Sequence, residues 1–485
     1  MINHIYALVT YSLEKNLIKK EDIDYAVNQL SYKTQIEPNV YIQQNIENQS
    51  FVELIEPILV HAIDIGLIDD SIQSKDNFES YLMDTFTMRP SCLQDTFASL
   101  DSKEATKFFY KLCQDNHYIK TERINKNKQY TYNSSYGDIF ITINLSKPEK
   151  DPKTIAKLKH KKTSQYPACL LCKENIGYYG NISHPGRSNH RAISISLNNE
   201  PFFFQYSPYV YYNEHTIVFH KEHIPMKLSK KTFLRLFDFV DRFPHYFLGS
   251  NAGLPIIGGS ILNHEHYQGG SADFPIQHAE VIKSYQLDNV KLELLKWPLS
   301  VIRLTSKDRE TIIDISNKLR VFYENYSDES VDLIAKTNEQ HNAITPIVRK
   351  ESGTYVVDIA LRNNRINEAY PDGIFHPHPD IHAIKKENIG LIEVMGLAIL
   401  PGRLLSDLEE IQNVLDNQLK LAQKLSTYKD WVNTIIHNPE YSTKENIEQA
   451  VARTFVKGLE DCGVFKQTDN GIKHFKLFIE AFLNE

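Results

Sequence analysis

Between Gly258 and Gly270 the sequence reads GGSILNHEHYQGG, and three of these side chains could do chemistry on phosphorus. In an extended strand, residues two apart share a face, so His264, His266 and Gln268 project together while Glu265 and Tyr267 point away. Gly258 and Gly259 precede the strand, and Gly269 and Gly270 follow it. Glycine lets a backbone approach an oxyanion closely and present its N–H groups. A neutral imidazole is nucleophilic near pH 7 and departs readily from the phosphoramidate it forms. Gln268 is placed to donate to a non-bridging phosphate oxygen. The plainer alternative is a pair of strand histidines, one satisfied in the core and one exposed. A bare His-x-His fits that reading more often; the glycine brackets and the glutamine move the balance toward a phosphate site.

Cys169-Leu-Leu-Cys172 offers two thiolates at a spacing that chelates one tetrahedral ion. It is half a site, and His220, His223 and His264 are the ligands within reach along the chain. A redox Cys-x-x-Cys is the rival, but it should open a helix in a βαβ setting, and this pair sits in a turn-rich segment. A second histidine group, His376, His378 and His382, lies in a proline-kinked stretch whose other ligands the sequence does not name. A second metal there is an open alternative to an exposed loop cluster. Lys147 and Lys150, Arg89 and Arg403 are candidate anion contacts, although lysines in so charged a stretch equally describe a solvated face.

The elements that would hold these residues follow from periodicity. Residues 1–125 are apolar at helical spacing, as in Ile5, Leu8, Val9 and Leu13, and again from Phe51 to Ile65. From Gln129 the pattern alternates and is rich in Thr, Tyr and Ile, as strands are. AISISL, FFFQYSPYVYY, HTIVFH and TYVVDIALRNN read as strands, SKKTFLRLFDFVDRF as an amphipathic helix capped by Ser229, and the last 80 or so residues as helices. Two strand-rich regions, each with a His-x-His, suggest two related halves. The division this gives is a helical region over 1–125, a first half with the histidine strand over 126–290, and a second half with a helical C-terminus over 291–485.

The bulk numbers exclude several function classes. With 54 basic and 61 acidic residues among 485, the net charge is −7, so the chain has no general pull toward nucleic acid or an anionic membrane. No apolar run is long enough to span a bilayer. The N-terminus reads as an amphipathic helix rather than a signal peptide. Five scattered cysteines make no disulfide framework, and a reducing cytoplasm is the expected home.

His264-Glu-His-Tyr-Gln268 resembles the His-Pro-His-x-Gln active-site strand of galactose-1-phosphate uridylyltransferases, in the histidine-triad superfamily. Glu in place of Pro, GSNAGLPIIGGSI upstream and the long helical N-terminus resemble the second, Gram-positive bacterial class of that family, over the whole chain. The resemblance implies an α+β fold of two histidine-triad-like halves, each an antiparallel sheet with helices, plus helical additions at both ends. It implies His266 as nucleophile, Gln268 as phosphate support, and Asn251 with Gly258, Gly259 and Ser260 as substrate contacts beside Lys147, Lys150 and Arg403. It implies a structural Zn²⁺ on Cys169, Cys172, His223 and His264, with His223 favoured over His220 by its spacing from Phe219. The implied reaction is ping-pong transfer of UMP from UDP-glucose to galactose-1-phosphate. The alternatives are a dinucleoside-polyphosphate phosphorylase or hydrolase of the same superfamily and a non-catalytic zinc-stabilised nucleotide-binding protein. The expected partners are small molecules, and a homodimer is left open.

Overall fold

A computed structural model describes residues 1–38, 49–146, 166–181, 184–417, 419–437 and 446–485. The helical periodicity of the N-terminal region becomes α1 (Ile2–Glu14), α2 (Ile23–Thr34), α3 (Phe51–Asp64), α4 (Ile72–Met83), α5 (Pro90–Ser99), α6 (Ser102–Asp115) and the single turn α7 (Thr121–Ile124). Ile5, Leu8 and Val9 pack with Leu30, Ile55 and Ile58 in a core of their own. Helices α5 and α6 instead send Leu93, Phe97 and Phe109 into the main core, which ties the N-terminal region to the sheet.

Two antiparallel strands, β1 (Lys128–Ser134) and β2 (Gly137–Asn144), form a hairpin that β13 (Leu397–Pro401) extends in parallel. The remaining strands make one ten-stranded sheet. They are β3 (Ile193–Leu197), β4 (Glu200–Tyr206), β5 (Thr216–His220), β6 (Phe247–Gly249), β7 (His266–Gly270), β8 (Val281–Leu287), β9 (Val290–Leu295), β10 (Val301–Ser306), β11 (Asn342–Glu351) and β12 (Thr354–Asn363). Their order is β3-β4-β5-β7-β6-β11-β12-β10-β9-β8. Numbered from each outer edge, both five-stranded units run 1-2-3-5-4. In each, a helix joins the third strand to the fourth: α8 (Lys230–Arg242) and α9 (Arg309–Asn325). The units meet through their fourth strands, where Gly249 opposes Ile347 and Leu248 opposes Val348. Phe233, Leu236, Phe237 and Val240 of α8 share one core with Ile312, Ile313 and Leu319 of α9.

The chain is thus α+β with an internal repeat, and its two antiparallel units are fused into one sheet. A sequence cannot display that fusion, because β6 is only three residues long. The position 290/291 lies within β9, just past the turn of the β8–β9 hairpin, whose strands pair with each other; we propose that the division lies between Gly270 and Val281. The repeat also separates the two His-x-His motifs. His264-Glu-His266 leads into the fifth strand of the first unit, whereas His376-Pro-His378 comes after the fifth strand of the second. Helices α10 (Leu391–Val394), α11 (Arg403–Asp416), α12 (Lys429–Ile436), α13 (Ile447–Cys462) and α14 (Asp469–Leu483) complete the described C-terminal part. Among the described residues no helix is long and apolar enough to cross a membrane.

A buried ion cluster fixes the turn that follows β7. Asp358, wholly buried, accepts from Arg303 Nε at 2.6 Å and Nη2 at 3.1 Å, and from Arg349 Nη1 at 2.6 Å. Arg303 also donates to the carbonyls of Ile276 and Gln277. Burial alone would raise the Asp358 pKa, but the two arginines outweigh it and hold the carboxyl below its ordinary value. Removing one partner of a buried ion group leaves uncompensated charge and costs about 3–5 kcal/mol. Asp358→Ala should lose stability on that order in urea unfolding. Because the folded-state pKa is depressed, the wild-type advantage over Asp358→Ala should be full above about pH 4 and shrink as pH falls further. An advantage that grows on acidification would contradict this.

Candidate active site and metal cluster

The register of three strands builds the site floor. Phe203 opposes Phe219, which opposes His266; Gln205 opposes Ile217, which opposes Gln268. Directly opposed residues share a face, so these six side chains form two rows on one side of the sheet. Phe203, Ile217 and Gln268 are only partly buried there. On the other side Phe204, Val218 and Tyr267 are buried in the core shared with α8.

The regular strand begins at His266, so His264 lies in the bend before it rather than in one strand with His266 and Gln268. The bend gives His264 three tethers. Its Nε2–H donates to the carbonyl of His220 at 2.8 Å, which leaves Nδ1 as the bare nitrogen. That Nδ1 lies 3.2 Å from Cys169 Sγ and 3.8 Å from Cys172 Sγ. Its own carbonyl accepts from His266 Nδ1 at 2.8 Å. A carbonyl can only accept, so the His266 proton is on Nδ1 and the lone pair is on Nε2. Burial lowers the His266 pKa to about 4, which keeps the ring neutral at physiological pH. His266 Nε2 has no hydrogen-bond partner among the described residues.

Glu265 and Tyr267 do point away, and they clamp the strand from behind. Glu265 accepts from Tyr267 OH at 2.6 Å, from Arg235 Nη1 at 2.9 Å and from the Lys227 N–H at 2.8 Å. The helix that supplies Arg235 is α8, which follows Ser229 as its pattern predicts; Thr232 Oγ1 accepts from the Ser229 N–H. A carboxylate is tolerated at this buried position because each of its oxygens has a donor.

The glycines serve packing. Gly269 and Gly270 are inside β7, not beyond it. A Cβ on Gly269 would lie 2.3 Å from the Phe247 carbonyl oxygen, and Gly270 has φ +147° with the Glu214 carbonyl 2.6 Å from where its Cβ would be. Gly258 is folded as tightly against the carbonyls of Ala252 and Leu254, and Gly259 lies against the Asn251 amide. Asn251 Oδ1 accepts from the Leu391 N–H at 2.8 Å, joining this loop to the first turn of α10 in the second unit. Ser260 is exposed on the same loop. Arg403 is exposed at the start of α11, where Gly402 abuts Asn144 and Leu145 at the end of β2. Lys147 and Lys150 lie outside the described residues. Arg89 is exposed ahead of α5.

Cys169, Cys172, His223 and His264 form a cluster whose ligand atoms lie within 4.8 Å of one another and could hold a metal ion. The Sγ atoms are 3.5 Å apart, and Cys172 Sγ is 3.1 Å from His223 Nδ1. Tetrahedral bonds of zinc length would put such atoms about 3.3–3.8 Å apart, so the donor set fits an ion of that size. Burial and the neighbouring Cys169 thiol push the Cys172 pKa up to about 12; a bound cation would reverse that. His220 is not part of the cluster: its Nδ1 accepts from the Glu222 N–H and its carbonyl holds His264.

His376, His378 and His382 are not an exposed loop cluster and do not converge as ligands. His376 Nε2 faces Asn388 Oδ1, His378 Nε2 donates to the Ile374 carbonyl, and His382 Nε2 donates to the Pro377 carbonyl. Asn388 Nδ2 in turn reaches the Gly258 carbonyl at 3.4 Å, so the segment braces the glycine loop. Sequence reasoning missed this brace and missed the aromatic floor. The alternation of FFFQY signals that floor only once the register to β5 and β7 is known.

Comparison with known proteins covers nearly the whole chain. The family description "Galactose-1-phosphate uridyl transferase, N-terminal domain" matches residues 20–225, and the corresponding C-terminal domain matches residues 239–429. A galactose-1-phosphate uridylyltransferase of Caldanaerobacter subterraneus subsp. tengcongensis is 44% identical, over 99% of this chain and 97% of its own. Those of Clostridium acetobutylicum and Bacillus subtilis are also 44% identical, covering 99% of this chain and 99% and 97% of their own.

The strand contacts give a direct expectation. Gly269→Ala must displace the Phe247 backbone or the strand itself and should cost about 1–3 kcal/mol, as overpacking does. Denaturant unfolding checks it; wild-type stability would mean that β6 and β7 are not so closely apposed.

Proposed function

The chain belongs to the galactose-1-phosphate uridylyltransferase family, and from that premise we propose that it transfers UMP from UDP-glucose to galactose-1-phosphate through a covalent bond to His266. The observation that carries this reading is the His266 Nδ1–H bond to the His264 carbonyl, which leaves an unpartnered Nε2 lone pair on the residue two before Gln268 in β7.

In the first half-reaction the His266 Nε2 lone pair attacks the α-phosphorus of UDP-glucose. The bond from that phosphorus to the bridging oxygen breaks, and glucose-1-phosphate leaves with the electron pair. The ring then carries both the Nε2–P bond and the Nδ1 proton, and so a positive charge. The His264 carbonyl, already accepting from Nδ1, stabilises that charge without rearrangement. In the second half-reaction a phosphate oxygen of galactose-1-phosphate attacks the same phosphorus, and the Nε2–P electrons return to the ring. Gln268 donates from its amide to a non-bridging oxygen in both steps. A neutral donor suits an intermediate with less negative charge than a phosphate monoester. Phe203 and Ile217 give an apolar floor for the nucleoside, and Asn251, the Gly258–Ser260 loop, Arg403, Lys147 and Lys150 are the proposed remaining contacts.

We read the Cys169, Cys172, His223 and His264 cluster as a structural zinc site. Bound zinc would hold two thiolates and two neutral imidazoles as a cross-link beside the nucleophile strand. The chain's own contribution is to aim the His264 Nδ1 at the cysteines through the His220 carbonyl. None of the five cysteines forms a disulfide, in keeping with a reducing cytoplasmic setting.

Exchange of labelled glucose-1-phosphate into UDP-glucose, with no acceptor sugar present, tests the ping-pong reading and separates it from phosphorolysis or hydrolysis. Exchange should be readily measured in the wild type and fall by about 10⁴-fold or more in His266→Asn, as when a nucleophile is removed. Gln268→Ala should slow it by about 10²–10³-fold with UDP-glucose affinity nearly unchanged. Turnover without exchange would contradict the scheme. For the metal, Cys172→Ser should lose bound zinc and melt at lower temperature, and a strong chelator should shift the wild type the same way. Purified protein without bound metal and with chelator-insensitive melting would contradict the zinc assignment.

A further inference from the structure

His215 stands just ahead of β5 and is 2% exposed. Its Nε2 lies 3.3 Å from Gln268 Oε1. An amide oxygen can only accept, so this contact requires the proton on Nε2 and leaves Nδ1 bare. Nδ1 is buried and has no hydrogen-bond partner among the described residues. An orphaned acceptor of that kind is a standing cost to the fold. A phenylalanine of similar shape would avoid it, so packing does not account for an imidazole here, whereas the Nε2–H does.

The ring is held on several sides. The Tyr212 ring centroid is 4.5 Å away and that of Tyr211 is 5.4 Å away. Tyr212 OH donates to the Gly269 carbonyl at 2.9 Å, next in sequence to Gln268. The His215 backbone is fixed as well: its N–H donates to the Tyr212 carbonyl and its carbonyl accepts from the Ser207 N–H. Register reinforces the pairing, since Thr216 opposes Gly269 and Ile217 opposes Gln268.

We propose that His215 is a positioning residue that sets the orientation of the Gln268 amide. With Oε1 turned to His215 Nε2–H, the amide NH₂ is left to face the cleft beside His266. With the His215 proton on Nε2, the flipped amide would put two N–H donors against each other and turn an acceptor toward an anionic phosphate. His215 touches neither the phosphorus nor the nucleophile and acts only through Gln268. The inference rests on the reading of Gln268 as the phosphate donor.

The test is a double-mutant cycle of His215→Phe with Gln268→Ala, plus His215→Gln, read as the single-turnover rate of glucose-1-phosphate release from UDP-glucose. His215→Phe should slow that rate by about 10-fold or more, short of the ~10²–10³-fold cost of losing the donor outright. UDP-glucose affinity should stay within about twofold, because the effect belongs to the transition state. His215→Gln, which can present an N–H to Oε1, should recover most of the rate. The double variant should be no slower than Gln268→Ala, since residues acting as one unit are not additive. The inference is overturned if Gln268→Ala is slow while His215→Phe is not, or if the two losses multiply. A silent Gln268→Ala would instead overturn the underlying role of Gln268, and this inference with it. Should His215→Phe fail to fold, His215→Met, which also lacks a donor, replaces it in the cycle with the same outcomes.

Discussion

The proposed chemistry depends on a single hydrogen bond, from His266 Nδ1–H to the carbonyl of His264. It is local, spanning two residues, and it chooses the tautomer that leaves the Nε2 lone pair free. It holds only while the His264 backbone stays in place, and most of the surrounding structure restrains that bend. The His220 carbonyl fixes one nitrogen of His264, and the Cys-His cluster surrounds the other. From behind, Arg235 on α8 and the Lys227 N–H grip Glu265. These restraints act on consecutive residues from different directions, and displacement of one of them acts on the next.

The fifth strand of the second unit, β12, carries no histidine where β7 carries His266, and the contacts of that unit with the site are supporting ones. Asn251 is bonded to the Leu391 N–H, and Asn388 links His376 to the Gly258 carbonyl. The Arg303–Asp358–Arg349 cluster holds the turn after β7. The repeated topology thus carries the proposed chemistry in one unit and bracing in the other. His376 belongs to that bracing, and His378 and His382 each have Nε2 engaged by a backbone carbonyl.

Much of the site was legible in the sequence because it is local. Two-residue spacing put His266 and Gln268 on one face, and Cys169-Leu-Leu-Cys172 announced a turn able to chelate an ion. The choice of His223 over His220 came from resemblance; His223 lies in the Cys-His cluster and His220 does not. What stayed hidden depends on register between distant segments. His215, Ile217 and Phe203 meet Gln268 and His266 only through the pairing of β4, β5 and β7, which no spacing rule contains. The glycine pairs were read as oxyanion brackets, while Gly269 and Gly270 are required by strand contact with Phe247 and Glu214. The fusion of the two units into one sheet turns on a three-residue strand, too short to stand out in any pattern.

The central claim is that UMP passes through His266. Intact-mass measurement after incubation with UDP-glucose alone, followed by peptide mapping, tests it most directly. One UMP per chain is expected, located on His266, stable until galactose-1-phosphate is added and then discharged. Catalytic turnover with no mass increase, or a UMP group found on any other residue, would contradict it.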